Sequence, residues 1–220
     1  MKLISGSRNK APYEYLDNDI SNRRIETLVD GVFAIALTLL VLEIKPPHTD
    51  SEQKLIEILI ALTPKLFAYF LSFIILGFLW FGHQTISHYV IRSDRTHIFL
   101  NLLFLMFIVL IPFSAALLGE NLHHQSATRV YGINLLVTGL IQYLHWEYMS
   151  SRNRLIDPDL DRRIVRSVQK TFLIIPMLYG IGIAVSFMSI SAGLILYALG
   201  TVIGVTKITA IFHQSHYHQV

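Results

Sequence analysis

The chain has 220 residues, of which 53% are hydrophobic and only 15% are charged, and its mean hydropathy is +0.51. Soluble domains carry about 25% charged residues, so this composition leaves too little polar surface for a water-soluble fold of this length. The sequence contains no cysteine, which excludes disulfides, thiolate metal sites and cysteine nucleophiles. The net charge of +3 does not call for a nucleic-acid partner, because basic loops on one face of a membrane account for it.

Long apolar stretches recur along the whole chain and predict an all-α, polytopic membrane protein with six transmembrane helices. We divide the chain into an N-terminal polar segment, 1–22, a transmembrane domain, 23–212, and a tail, 213–220. The polar segment lacks the apolar stretch of a cleaved signal peptide, so we expect the first membrane helix to direct insertion.

Helix-breaking residues and polar turns separate the six predicted crossings. The first ends before Pro46 and Pro47, which cannot continue a helix, and a short interfacial helix is expected over 55–62. A charged linker with a turn signal at Asp157-Pro158 separates the fourth crossing from the fifth, and the last two crossings form a tight hairpin. The crossings are expected at 25–44, 65–90, 96–118, 128–149, 168–188 and 191–212.

Lysine and arginine fall unevenly on the two faces of this six-helix plan. Of the 18 basic residues, the face opposite the termini carries only Lys45, Lys54, Lys65 and Arg129. Because cytoplasmic loops are enriched in Lys and Arg, both termini are expected in the cytoplasm.

The first crossing combines a charged beginning with an apolar body. Arg24, Glu26 and Asp30 lie in its first two turns, and charges at such positions usually mark function. On a helical wheel, a stripe centred on Ile35 lies about 140° from Asp30, so Asp30 should face neighbouring helices. The pattern alone also allows this stripe to meet lipid or another helix. The stripe contains Leu28, Gly31, Ile35, Thr38, Leu39 and Leu42. Candidate partners for Arg24 and Asp30 are Trp80, His83 and Asn101.

Residues 24–42 resemble the first-helix signature of the transmembrane protein 175 family of potassium channels. That signature has an Arg, three residues, Phe-Ser-Asp, a small residue and an apolar run containing a Thr. In this chain Leu28 and Val29 replace the Phe and the Ser, which removes a hydroxyl. The predicted second crossing also matches, with Leu79-Trp80 and His83 in an LWxxH arrangement.

The resemblance implies a channel of the prokaryotic six-helix branch, a homotetramer with the first helices lining a central pore in the bacterial inner membrane. Ile35 would form the narrowest ring, and the permeant ion would be potassium, with some leak of other monovalent cations. No cofactor is expected. The other residues of the pore wall would be Gly31, Thr38, Leu39 and Leu42. The family pattern also implies a buried polar network behind the pore helix, formed by Arg24, Asp30, Trp80 and His83, with Asn101 as a further candidate member.

Thr38 is the only oxygen-bearing side chain on the stripe, and no TVGYG-like sequence exists for a carbonyl filter. We therefore hypothesise that Thr38 carries much of the potassium selectivity. A secondary transporter or a proton or monovalent-cation leak pathway remains the alternative function. An enzyme is not expected, because the convergent acids, bases or metal ligands that it needs are missing.

Two further motifs have alternative interpretations. Gly200 and Gly204 have the GxxxG spacing, which serves either packing inside one subunit or a contact between subunits. Histidines near the end of the chain could bind a metal ion, although a surface tail without metal is favoured. These histidines are His213, His216 and His218.

Overall fold

The computed structural model describes residues 12–217, and the side chains of residues 22–210. This part of the chain is nearly all helical, which confirms the predicted fold class. Its one β-pairing within the described residues is an isolated bridge between Val90 and Ile156. The α-helices are α1 (Pro12–Leu42), α2 (Glu52–Ala61), α3 (Thr63–Ser87), α4 (Arg95–Glu120), α5 (Gln125–Ser150), α6 (Arg162–Ser186) and α7 (Ile190–Tyr217).

The observed helices follow the predicted crossings to within a few residues, with one exception. Helix α1 begins at Pro12, so about half of the predicted polar segment 1–22 continues the helix that forms the first crossing. Helix α2 confirms the short helix expected between the first two crossings, and none of its residues is buried. The tight hairpin is also confirmed, since α6 ends at Ser186 and α7 begins at Ile190.

Helix α5 differs from the other predicted crossings in composition. Within the described residues, α3, α4, α6 and parts of α1 and α7 are long and apolar enough to cross a membrane, whereas α5 is long enough but too polar. The polar side chains of α5 lie inside the bundle, where α5 packs against α4, α6 and α7. Because protein rather than lipid surrounds α5, its polar groups can be hydrogen-bonded in place. The buried polar residues are Thr128, Asn134, Thr138, Gln142, His145 and Ser150.

The small residues of α7 pack within the subunit. A Cβ on Gly204 would lie 2.6 Å from Cδ1 of Ile175, and a Cβ on Gly200 would lie 3.2 Å from the ring of Tyr179. Both neighbours belong to α6, so the GxxxG spacing serves the close approach of α6 and α7. Of the two alternatives, the structure supports packing inside one subunit.

The charged linker between α5 and α6 is folded against the bundle. Leu155 and Ile156 are buried, and the Leu155 carbonyl accepts a hydrogen bond from the backbone of Ile91 at 2.9 Å. Arg152 and Asn153 have φ angles of 55° and 52°, in the left-handed region that non-glycine residues rarely adopt. The linker and the turn between α3 and α4 therefore form one structured surface at the same end of the bundle.

Candidate pore-lining face and its polar supports

Helix α1 packs against α3 and α4 through one face only. Four residues on this face are buried, and the Phe33 ring lies 6.0 Å from the Phe104 ring between their centroids. They recur at the spacing of a single helix face, as expected for a helix packed on one side. This buried face consists of Val29, Phe33, Ala36 and Leu40.

The opposite face of α1 is uncovered in the single subunit, and it contains the whole predicted stripe. The side chains of Ile35 and Leu42 are 59% and 68% exposed, and Leu28 and Leu39 are exposed as well. Gly31 leaves open space, because a Cβ there would meet no atom within 4 Å. The helical wheel therefore separated the two faces correctly, and a contiguous apolar surface remains available to lipid or to other copies of the chain.

Thr38 lies on the exposed face, and its hydroxyl is oriented by its own helix. The oxygen Oγ1 lies 3.1 Å from the carbonyl oxygen of Ala34 and 2.8 Å from that of Ile35, to which the hydroxyl donates. Because the hydrogen is directed to the helix backbone, the lone pairs of the oxygen remain free to face away from it. An oxygen in this orientation can act as a ligand for a cation.

Asp30 connects α1 to α3 at the edge of the exposed face. Its Oδ1 accepts hydrogen bonds from Nε1 of Trp80 at 2.8 Å and from Nε2 of Gln84 at 2.6 Å. Trp80 was a predicted partner, whereas Gln84 was missed. The available signal was its position four residues after Trp80, which places both side chains on one face of α3.

A second polar group is buried between α3, α4 and α5. Nε2 of His83 lies 2.8 Å from Oδ1 of Asn101, and the amide nitrogen of Asn101 lies 3.3 Å from Nε2 of His97. Nδ1 of His97 in turn lies 2.9 Å from Nε2 of His145. All four side chains are buried, so this chain of hydrogen bonds holds three helices together. The prediction missed His97, although it lies four residues before Asn101, and it missed His145.

The predicted single network is therefore divided in two, and Arg24 belongs to neither part. The Asp30 group, which is Asp30 with Trp80 and Gln84, lies on the exposed side of α1. The His83 group, which is the buried chain from His83 to His145 described above, lies in the interior. Arg24 is exposed, and among the described residues no hydrogen bond or ion pair connects it to Asp30. Within one subunit the expected residues therefore do not form a single buried group, and a role of Arg24 in the polar network stays a prediction.

The metal prediction for the tail falls outside what the structure describes. His218 lies beyond residue 217, and the side chains of His213 and His216 are outside the described side chains. In residues whose side chains are described, no group of three or more His, Cys, Asp or Glu could hold a metal ion.

The sequence model of a family described as "Endosomal/lysosomal potassium channel TMEM175" matches residues 24–112, from α1 into α4. A potassium channel of Streptomyces collinus is 35% identical over 170 residues, which are 76% of this chain and 82% of that relative. A potassium channel of Chamaesiphon minutus is 37% identical over 172 residues, covering 76% and 85%. The crystal structure of a lysosomal potassium-selective channel TMEM175 homologue from Chamaesiphon minutus aligns with a TM-score of 0.77 at 30% identity, covering 86% of this chain and 98% of that one.

Proposed function

Because the chain belongs to the TMEM175 family of potassium channels, we propose that it conducts potassium ions through a pore walled by the exposed face of α1. The observation that carries the proposal is the pair of contrasting faces on α1. One face is buried against α3 and α4, while the other presents large apolar side chains that remain exposed in the single subunit. When only one side of a helix is packed inside the subunit, its other side must contact something else, such as lipid or another subunit.

Four copies around a central axis supply this environment. In a homotetramer the Ile35 side chains meet as the narrowest ring, and Leu39 and Leu42 form apolar rings beyond it. Leu42 lies seven positions after Ile35, a rise of about 10 Å along the helix, which makes a long dry neck. A neck of this kind can close by dewetting, without a glycine-rich carbonyl filter.

Potassium preference then depends on dehydration and on Thr38. Sodium holds its water more tightly than potassium, so an apolar neck favours potassium modestly. Four Thr38 hydroxyl oxygens, each donating its hydrogen to its own helix, add oxygen ligands that replace part of the water shell. We expect modest selectivity with some passage of other monovalent cations. No cofactor takes part.

The Asp30 group is proposed to position the pore wall. Asp30 accepts from two donors of α3, so it fixes α1 against a helix that the packed face also contacts. The Asp30→Asn variant separates assembly from gating when both assembled protein and current are measured. Loss of assembled protein assigns Asp30 to scaffolding, whereas normal assembly with a changed current assigns it to gating.

We further propose that the channel lies in the bacterial inner membrane with both termini in the cytoplasm. The support is the distribution of basic residues, which places only four of them on the opposite face of the six-helix plan. The lipid bilayer and other copies of the same chain are the only partners that this function needs.

Potassium flux through purified protein in liposomes tests the proposed function. Wild type and an Ile35→Asn variant are compared, with Ile35→Val as the matched control that keeps an apolar ring. We expect Ile35→Asn to raise the flux, because a polar ring wets the neck, and Ile35→Val to behave like wild type. Equal flux for all three proteins would remove Ile35 from the pore, and a requirement for a second, coupled ion would indicate a transporter.

A further inference from the structure

A basic cleft lies at the junction of α5, the linker and α6, far along the chain from the pore-lining helix. Its volume is about 310 Å³. Three arginines line it, one from the linker and two from the first turns of α6, and we refer to it as the arginine cleft. These arginines are Arg152, Arg162 and Arg166.

The charges that line the arginine cleft do not balance. Its only carboxylate belongs to Glu147, which already accepts a hydrogen bond from Gln169. Among the described residues, none of the three guanidinium groups has an ion pair or a hydrogen bond with another protein group. Three cations that line one cleft favour an anion there, and the planar guanidinium fork matches the oxygens of a phosphate.

The cleft is held in shape by the fold and does not depend on flexible side chains alone. Arg152 occupies the left-handed backbone region with a φ of 55°, and buried Leu155 and Ile156 anchor the linker just after it. The Leu155 backbone nitrogen also donates to the carbonyl of Met149 at 3.1 Å. Uncommon backbone geometry that the surrounding structure maintains is often associated with binding sites.

The surface next to the cleft is suited to acyl chains. Arg166, Leu173 and Met177 are spaced by seven and four residues, so Leu173 and Met177 each lie within about 20° of Arg166 around α6. Leu173 and Met177 are exposed apolar residues inside the membrane-crossing part of the helix. A positive charge followed along the helix by exposed apolar side chains matches the arrangement of a phospholipid, in which the phosphate lies above the hydrocarbon tails.

From these observations we propose that the arginine cleft binds the phosphate group of an anionic phospholipid, with its acyl chains lying along Leu173 and Met177. The site is separate from the pore wall, and the proposal does not depend on the ion that the channel conducts.

Lipid retention by the purified full-length protein tests this proposal. Detergent-solubilised protein is mixed with phosphatidylglycerol or phosphatidylcholine, separated by gel filtration, and its bound lipid is quantified by mass spectrometry. We expect wild type to retain more phosphatidylglycerol than phosphatidylcholine. The double variant Arg162→Gln/Arg166→Gln should retain at least about fivefold less phosphatidylglycerol than wild type, because it lacks two charged donors and hydrogen bonds to charged groups are stronger than those between neutral groups.

The matched control is Arg95→Gln/Arg163→Gln, which removes the same charge from exposed positions outside the cleft. It should retain lipid as wild type does. Equal retention by the cleft variant and the control would overturn the proposal, since general surface charge would then explain binding. If the double variant elutes as misfolded protein, Arg152→Gln replaces it with the same expectation.

A second arm separates lipid from free phosphate. Inorganic phosphate at millimolar concentration is added to the wild-type complex with phosphatidylglycerol. We expect the lipid to remain bound, because the apolar row on α6 contributes to its binding. Release of the lipid, together with a phosphate-dependent rise in thermal stability that the cleft variant lacks, would assign the cleft to a soluble phosphate and overturn the lipid assignment.

Discussion

Helices α1 and α5 place their side chains in opposite surroundings. The crossing part of α1 is strongly apolar, yet Ile35 and Leu42 on its outer face are 59% and 68% exposed in the subunit. Helix α5 carries polar groups along its length, yet Thr138 and His145 are fully buried in the bundle. In a membrane protein, the overall polarity of a helix therefore does not tell whether the helix is buried in the bundle or exposed. Unlike in a soluble protein, both the lipid and the protein interior are apolar.

The difference follows from where the hydrogen-bond partners lie. In α5, Nε2 of His145 lies 2.9 Å from Nδ1 of His97, and the amide of Asn134 donates to the hydroxyl of Ser114 at 3.2 Å, so two of its polar side chains are hydrogen-bonded to α4. In α1, the outer-face hydroxyl of Thr38 bonds only to its own backbone. Helix α5 is thus specialised for holding the subunit together, and the outer face of α1 is left for contacts beyond it.

The largest effect is expected when residues two positions apart, on the two faces of α1, are each replaced by alanine. Phe33→Ala removes a ring that is 1% exposed and packs on Phe104, so we expect a loss of about 3 kcal/mol in the free energy of unfolding. The matched variant, Ile35→Ala, shortens a side chain that is 59% exposed in the subunit and should cost much less of that free energy. Denaturant unfolding in detergent measures both, and equal losses would mean that the two faces are packed alike.

A smaller effect is expected from adding one methyl group to each helix. In Gly132→Ala, the new Cβ on α5 would lie 2.0 Å from the hydroxyl oxygen of Tyr197, so α7 must shift at a cost of about 2 kcal/mol. In Gly31→Ala, on α1, the new Cβ meets open space and should cost no stability. Thermal unfolding and the yield of monodisperse protein compare the two, and a destabilised Gly31→Ala variant would show that the outer face of α1 is closely covered.

The smallest stability effect, and the sharpest functional one, comes from a matched pair of threonines. The hydroxyls of Thr38 and Thr138 each donate to a carbonyl of their own helix, Thr38 to Ile35 and Thr138 to Asn134, both at 2.8 Å. Either change to valine should cost less than about 1 kcal/mol, since hydrogen bonds in membrane helices contribute little. Only Thr38→Val is expected to lower the potassium-to-sodium permeability ratio in bilayer recordings. An unchanged ratio would remove Thr38 from the selectivity mechanism.

Several features were predictable because they depend on local pattern. The helix ends followed from proline, charge and the length of apolar runs, and the two faces of α1 followed from helical periodicity. The contact between Asp30 and Trp80 was also foreseen. In contrast, the link from His97 to His145 joins residues 48 positions apart, and no local pattern indicates such a pairing.

The sequence by itself determined the class of protein, the approximate bounds of the helices and the resemblance to a potassium-channel family. It also determined which residues of α1 share a face. Only the tertiary structure decided that Arg24 is separate from Asp30, that Gly200 and Gly204 pack within the subunit, and that three arginines converge on one cleft. The physical reason is that periodicity specifies which residues share a face of one helix. Which residues meet across helices depends on how the helices pack, and that packing is set by many distant contacts together.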